Sequence, residues 1–304
     1  MEDLKPVPGE RLWGDTPEGY ERGIAGVTDP ELLAAADSFY NRGFAQLKGA
    51  VSHEQIDEVA KAYAEWCEEN KDKNQSTRTD GRLPRVVNLH SARDELKALY
   101  ASNKNVLKVV DFLFGYKSSV YTSLTFQFGT EQPLHRDTPV FRTEPEEFYF
   151  GVWFALEDAT EENGCLTALE GGHKQEWVDP YEFAEANLES WDELKAYGPP
   201  LWSPYQREIT ITAKAAGCEQ IMIPAEKGDV IIWHPQLPHG GSKVNNPEKT
   251  RLSAVFHVVP ERVPVYQADV FFNRNSEPSR VPSFKYSEFD GVEFVRNGAL
   301  FGKN

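Results

Sequence analysis

After Gly115 the sequence changes its hydrophobic period from that of a helix to that of a strand, and this switch constrains the fold more than any other feature. Before it, Leu96, Leu99, Val106, Leu107, Val110 and Leu113 recur at helical spacing, and Gly115 stands where a helix ends. After it, Val120, Thr122, Leu124, Phe126 and Phe128 alternate with Tyr121, Ser123, Thr125 and Gln127, which reads as a half-buried strand with one polar face. Residues 148–156 repeat the pattern. Phe148, Phe150, Val152, Phe154 and Leu156 form a bulky face; Tyr149, Gly151, Trp153 and Ala155 form a smaller one with hydrogen-bonding tips. That second face suits the wall of a cavity and, equally, ordinary packing between two layers. Further strands are expected at 208–213, 220–223, 229–234 and 251–259, with Asn163-Gly164 as one of the intervening turns. Many short strands between Gly, Pro and Asn turns predict a mainly β protein, a sandwich or barrel, with buttressing helices.

The helices are expected ahead of the strands. Asp29-Pro30-Glu31 starts one that runs through Phe39 to Gly43, and Phe44–Leu47 follows as a short strand. Ser52 with Gln55 predicts a capping box for a second helix, whose Ile56, Val59, Ala60, Tyr63 and Cys67 share a face. Residues 70–85 read as a loop and 94–114 as a third helix. The expected organisation is a single domain over 30–260: helical support at 30–115, then strands at 116–260. An acidic, aromatic insertion at 176–206 reads as a lid or as decoration. Residues 1–29 form an irregular arm and 261–304 a tail packed on the domain.

Composition narrows the partners. The chain has 304 residues, 40% of them hydrophobic, which is ample for a large core. Its net charge of −16 repels phosphate backbones and anionic lipid, so neither nucleic acid nor a membrane surface is an expected partner. A small molecule is. Cys67, Cys165 and Cys218 are odd in number and scattered, which fits a reducing compartment. Met1 to Pro6 holds no apolar signal core, and no apolar run approaches the roughly 20 residues of a membrane span. The expected location is the cytoplasm; oligomeric state is left open.

The chemistry is concentrated in His135-Arg136-Asp137. On extended backbone, positions i and i+2 point to one side, so an imidazole and a carboxylate converge while Arg136 points away. His239, in Pro238-His239-Gly240-Gly241-Ser242, supplies a third corner. Two histidines and one carboxylate on one face of a metal leave the opposite positions open, the ligand set of non-haem iron(II) oxygenases. A lone His-x-Asp between prolines is also what a solvated turn looks like. Of the other histidines, His173 and His257 read as structural, His234 as packed at a strand end, and His53 and His90 as loop or cap residues.

Taken in order, Tyr40-Asn41-Arg42-Gly43-Phe44, Phe114-Gly115, His135-Arg136-Asp137, Asn163-Gly164-Cys165-Leu166 with Gly171-Gly172-His173-Lys174, Gly228-Asp229-Val230, His239-Gly240-Gly241-Ser242 and Arg251-Leu252-Ser253 form a longer pattern. It resembles the phytanoyl-CoA dioxygenase-like branch of the iron(II)/2-oxoglutarate-dependent oxygenases from about Phe39 to Val259. Two departures stand out. Glu170-Gly171-Gly172-His173 replaces the common Pro-Gly-Ser-His, and Gln127 stands where many members carry a basic residue near the co-substrate. The resemblance implies a double-stranded β-helix of the jelly-roll or cupin kind, with iron(II) in its mouth held by His135, Asp137 and His239. It also implies 2-oxoglutarate and O2 as co-substrates, with Arg251, Ser253 and Gln127 near the 2-oxoglutarate. Arg251 in isolation reads as a surface ion pair; behind His239 and beside Ser253 it reads as the anchor for the far carboxylate. The implied reaction is hydroxylation of an unactivated C–H bond of a small, polar metabolite, with succinate and CO2 as co-products. The presence of Asp137, where related halogenases carry a small residue, argues for oxygen transfer; desaturation and ring formation stay open. Arg136, Arg142, Trp153 and Trp233 are candidate pocket residues. Two rivals remain: a cupin-like metalloenzyme that does not use 2-oxoglutarate, and a non-catalytic metabolite-binding barrel.

Overall fold

The N-terminal helices start on local capping residues. The computed structural model describes residues 6–7, 9–71, 83, 85–175, 178–194, 200–273 and 283–296. The expected loop at 70–85 and the N-terminal hexapeptide fall largely outside this set, as do parts of the insertion and tail. The first segment is less irregular than its composition suggests. A 3-10 turn at Trp13–Asp15 leads into α1 (Pro17–Ile24), capped by Thr16. Helix α2 (Pro30–Arg42) is capped by Asp29 and ends on Gly43 at φ 87°, a left-handed position that suits glycine. After β1 (Phe44–Leu47) comes α3 (His53–Glu69), capped by Ser52. The capping box is half formed: Ser52 Oγ accepts the Gln55 N–H at 3.3 Å, but the Gln55 side-chain oxygen accepts instead from the Asn103 amide at 3.1 Å.

Beyond β2 (Val86–Val87), the expected helix at 94–114 is two: α4 (Asp94–Ala101) and α5 (Lys104–Phe114). The break lies at Asn103, whose side chain donates to the Leu99 carbonyl at 2.7 Å. A short amide side chain that satisfies the backbone locally competes with helix continuation. The strands that follow are β3 (Ser118–Phe126), β4 (Arg142–Thr143), β5 (Phe150–Ala155) and β6 (Leu166–Leu169). The insertion contributes α6 (Pro180–Asn187) and α7 (Trp202–Ala215). Helix α7 overturns the strand expected at 208–213. The Ile-Thr alternation there suggested a period of 2, but Tyr205, Ile209 and Ala213 are buried at helical spacing and Ile211 is 53% exposed.

The remaining elements are β7 (Gln220–Ile223), β8 (Val230–Trp233), β9 (His239–Gly241), β10 (Ser253–Pro260), β11 (Val265–Tyr266), α8 (Ala268–Phe272), β12 (Tyr286–Phe289) and β13 (Val292–Val295). Among the described residues, an eight-stranded sheet runs β1-β8-β5-β10-β3-β13-β12, with β2 also on β3. The tail is therefore part of the sheet, since β13 lies parallel to β3 at Phe294 and Val120. A smaller sheet, β7-β6-β9, faces the large one, and β4 pairs with β11. The central strands β5, β8 and β10 of the large sheet are buried on both faces. Its outer side chains, Val152, Phe154, Ile232 and Phe256 among them, pack with Phe39, Val59, Val110 and Phe114 of the helices. Full burial of each such side chain contributes about 1.5–3 kcal/mol. Its inner side chains, Trp153, Ile231, Trp233 and Val255, meet Leu166, Ala168 and Ile223 of the small sheet. Two sheets closed on a shared interior, with helices against the larger one, make the double-stranded β-helix. Among the described residues no helix is long and apolar enough to cross a membrane.

Candidate metal centre

His135 and His239 are brought together by their backbones. Each donates its amide N–H to the other's carbonyl, at 2.9 and 3.0 Å, which forms an antiparallel bridge. Gly240 makes this approach possible, because a Cβ there would lie 2.5 Å from the Gln132 carbonyl oxygen. The two rings end 4.6 Å apart.

Their nitrogens are assigned by what they touch. His135 Nδ1 donates to the Pro133 carbonyl at 2.8 Å, and His239 Nδ1 donates to the Leu237 carbonyl at 2.9 Å. A proton on each Nδ1 leaves each Nε2 with a lone pair. His135 Nε2 lies 3.4 Å from Asp137 Oδ1, and His239 Nε2 lies 3.6 Å from Asp137 Oδ2. Ligands about 2.1 Å from a first-row metal stand roughly 3 Å from their neighbours, so this spacing fits a common ion. All three residues are buried, and their ligand atoms lie within 4.8 Å of one another. Burial raises the Asp137 carboxyl, but His239, His135 and His257 outweigh it and hold the group well below the usual carboxylate range. Burial pushes His239 down to about 4, so it is neutral at pH 7 despite the adjacent carboxylate. One anion with neutral imidazole is a donor set for a divalent cation.

Asp137 Oδ2 also accepts from the Tyr149 hydroxyl and from Trp233 Nε1, each at 3.0 Å. Trp233 comes from the inner face of β8, and its ring lies 4.5 Å from that of His239. The Gln132 amide donates to His135 Nε2 at 3.0 Å, and the half-buried Trp202 of α7 lies 6.0 Å from the His135 ring.

A second feature lies at the start of β10. Arg251 is 2% exposed and Ser253 0% exposed. One guanidinium nitrogen of Arg251 donates to the Gly164 carbonyl at 2.7 Å, and the guanidinium carbon lies 5.6 Å from the Trp153 ring. Arg251 Nε and Ser253 Oγ have no protein partner. Burial lowers the Arg251 guanidinium to about 10, so it remains a cation at neutral pH. A buried cation with an unmatched N–H, two residues from an unmatched hydroxyl, is a cradle for an anion.

The other expected site residues divide. Trp153 and Trp233 face the interior. Gln127 holds Arg251 through its backbone carbonyl, at 2.8 Å, while its side-chain oxygen accepts from the Leu83 N–H at 2.9 Å. Arg136 does turn from the metal site. It is buried, its guanidinium donates to the Gly172 carbonyl at 2.9 Å, and it braces the loop. Arg142 is held at the β4 surface by Glu144 and Glu146, at 3.5 and 2.5 Å. Tyr149, Trp202, Gln206 and Gln132 were not assigned to the site from sequence. The strand alternation at 148–156 does place Tyr149 on the face of Trp153.

Asp15, Glu147 and His234 form a second convergent group. Here the imidazole is turned over. His234 Nδ1 accepts the Gln236 N–H at 3.1 Å, so Nε2 carries the proton and donates to Asp15 Oδ1 at 3.0 Å. No lone pair is left for a metal, and the group joins the N-terminal segment to the barrel.

The phytanoyl-CoA dioxygenase (PhyH) family matches residues 39–252. A phytanoyl-CoA dioxygenase domain-containing protein 1 homolog of Caenorhabditis elegans is 27% identical over 164 residues, 52% of this chain and 51% of the relative. The chain thus spans about half the length of the curated relatives it matches. Among solved structures, EctD from S. alaskensis with 2-oxoglutarate and 5-hydroxyectoine superposes with a TM-score of 0.61 at 15% identity, covering 97% of this chain and 96% of that one. The epimerase SnoN, in complex with Fe3+, alpha ketoglutarate and nogalamycin RO, superposes with a TM-score of 0.57 at 16% identity, covering 88% and 99%. At these identities the two structures share the fold.

Proposed function

Since the chain belongs to the phytanoyl-CoA dioxygenase family, we propose that it is an iron(II)- and 2-oxoglutarate-dependent dioxygenase that hydroxylates an unactivated C–H bond of a small, polar metabolite. The observation that carries this reading is the pairing of two sites in one barrel. One is a His-Asp-His group with both Nδ1 protons on backbone carbonyls and each Nε2 within 3.6 Å of the carboxylate, and the other is a buried Arg251–Ser253 cradle with unmatched donors.

In this reading His135, Asp137 and His239 hold the iron, and Arg251 with Ser253 holds the far carboxylate of 2-oxoglutarate. Iron with 2-oxoglutarate and O2 supplies the oxidising power for C–H cleavage, and 2-oxoglutarate leaves as succinate and CO2. The protein's own contribution is position and dryness. Asp137 is the negative ligand that keeps the iron in place, and the interior residues Trp153, Ile231 and Val255 exclude water around the cradle. Trp202 and Gln132 stand beside His135 and frame the side from which a substrate approaches. Cys67, Cys165 and Cys218 are free, which supports a reducing setting, and the cytoplasm is the compartment proposed.

The test is an anaerobic titration with iron(II) and 2-oxoglutarate, following the weak visible charge-transfer band of the chelate. The expected result is a band in the wild type that is lost in Asp137→Ala. No band in the wild type, with binding of another metal or none, overturns the reading in favour of a cupin-like enzyme without 2-oxoglutarate or a binding barrel.

A further inference from the structure

We propose that Tyr149 and Trp233 are positioning residues that dedicate Asp137 Oδ1 to the metal, and that Gly151 provides the seat on which the Trp233 indole lies. The inference rests on the iron reading above.

A carboxylate oxygen has two lone-pair directions. On Asp137 Oδ2 both are taken, one by the Tyr149 hydroxyl and one by Trp233 Nε1, each at 3.0 Å. Oδ1 receives neither and faces His135 Nε2 at 3.4 Å; His239 Nε2 lies 3.6 Å from Oδ2, whose lone pairs the two donors occupy. The carboxylate would therefore meet an ion through Oδ1. An ion held by His135, His239 and one oxygen of Asp137 would keep room for a chelating keto acid and O2, room that a carboxylate engaged through both oxygens would reduce.

Both donors are held from behind. The Tyr149 ring stacks on Phe141 at 4.7 Å and 8°, and His257 meets the two rings edge-on at 5.6 and 4.4 Å. Trp233 lies between the His239 ring, 4.5 Å away, and its cross-strand partner Gly151. A Cβ at Gly151 would stand 2.1–2.5 Å from the indole, inside its van der Waals surface. Glycine at this point of a central strand leaves room for a flat aromatic ring.

The experiment compares wild type, Tyr149→Phe, Trp233→Phe and Gly151→Ala under anaerobic conditions. It measures iron(II) affinity, the position of the iron–2-oxoglutarate charge-transfer band, and the visible spectrum of the cobalt(II)-substituted protein, which reports coordination number. Each variant is expected to lose roughly 10- to 100-fold in iron(II) affinity. Each is also expected to shift the band and alter the cobalt spectrum. Gly151→Ala should reproduce Trp233→Phe although it removes no donor. Should Gly151→Ala fail to fold, the two phenylalanine variants decide alone. Unchanged affinity and spectra in those variants, with or without a lower melting temperature, overturn the inference. A wild type that binds no iron overturns the reading beneath it instead.

Discussion

Three histidines of this chain sit in similar strand-end settings and differ in one atom's neighbour. His135 and His239 each give an Nδ1 proton to a carbonyl two residues earlier, so Nε2 keeps a lone pair, which on His135 accepts from the Gln132 amide; His234 accepts an N–H at Nδ1 and carries its proton on Nε2. Sequence spacing identified the convergent pair His135 and Asp137, because i and i+2 share a side on extended backbone. It did not reveal the tautomers, which depend on carbonyl directions in two separate loops. Nor did it show that Tyr149 meets Asp137, since that contact joins two segments that no local pattern relates. Arg251 allows a residue-level prediction. Removing a buried cation from an ion pair costs about 2–5 kcal/mol. Arg251→Ala should therefore weaken 2-oxoglutarate binding by about 100-fold or more while iron(II) affinity stays near wild type, as read by anaerobic titration of each. Arg251→Lys should recover little of the loss, because an ammonium lacks the planar two-point match. Equal 2-oxoglutarate affinity in all three proteins would remove Arg251 from the site.

At the scale of elements, α7 ties the insertion to the metal loop. Gln206 accepts the Arg136 N–H and donates to the Arg136 carbonyl, both at 2.8 Å. Tyr205 packs edge-on against Phe271 and Phe272 of α8, at 5.6 and 5.2 Å. Helix α7 is thus a wall fixed at two points. Gln206→Ala strands two buried backbone groups and should cost about 2–4 kcal/mol. For a chain of 304 residues the corresponding fall in melting temperature is roughly 3–6 °C. The same variant should weaken iron(II) binding by loosening the loop that carries His135 and Asp137. A melting temperature within a degree of wild type would show that the clamp contributes nothing. This wall was hidden in the sequence because Ile209 and Ile211 alternate with threonines, and only Tyr205, Ile209 and Ala213 together reveal the helical face. Strands β3, β5 and β10 were legible within a few residues because their alternation spans a full strand. The tail was not, since β13 joins the sheet through a pairing with β3 that no local pattern encodes.

At the scale of the molecule, acid acts through two opposed effects. Lowering the pH from 7 toward the isoelectric point of about 4.9 relieves the self-repulsion of a chain with net charge −16, which favours the folded state. Against this stand histidines buried in neutral form. His90, 1% exposed and 2.6 Å from Ser123 Oγ, is pushed down to about 4 by burial and, to a lesser extent, by Lys97. Between pH 6.5 and 4 the unfolded chain holds a proton on this histidine that the folded chain does not, so stability rises with pH across that window and is lost as pH falls through it. The shift corresponds to about 3 kcal/mol at its limit. His173, lowered to about 2 by burial and by His234, acts in the same direction. Surface repulsion is spread over many exposed charges screened within about 10 Å at ordinary ionic strength, whereas a buried imidazole has no such screening. The histidine effect should therefore dominate in salt. Urea unfolding at pH 7, 5.5 and 4.5 in 0.15 M salt should show falling midpoints in the wild type. His90→Gln keeps a polar partner for Ser123 and removes one titrating group, so its midpoints should fall less steeply, by about one proton's worth of slope. Parallel curves for the two proteins would mean that the proton taken up on acid unfolding goes elsewhere than His90.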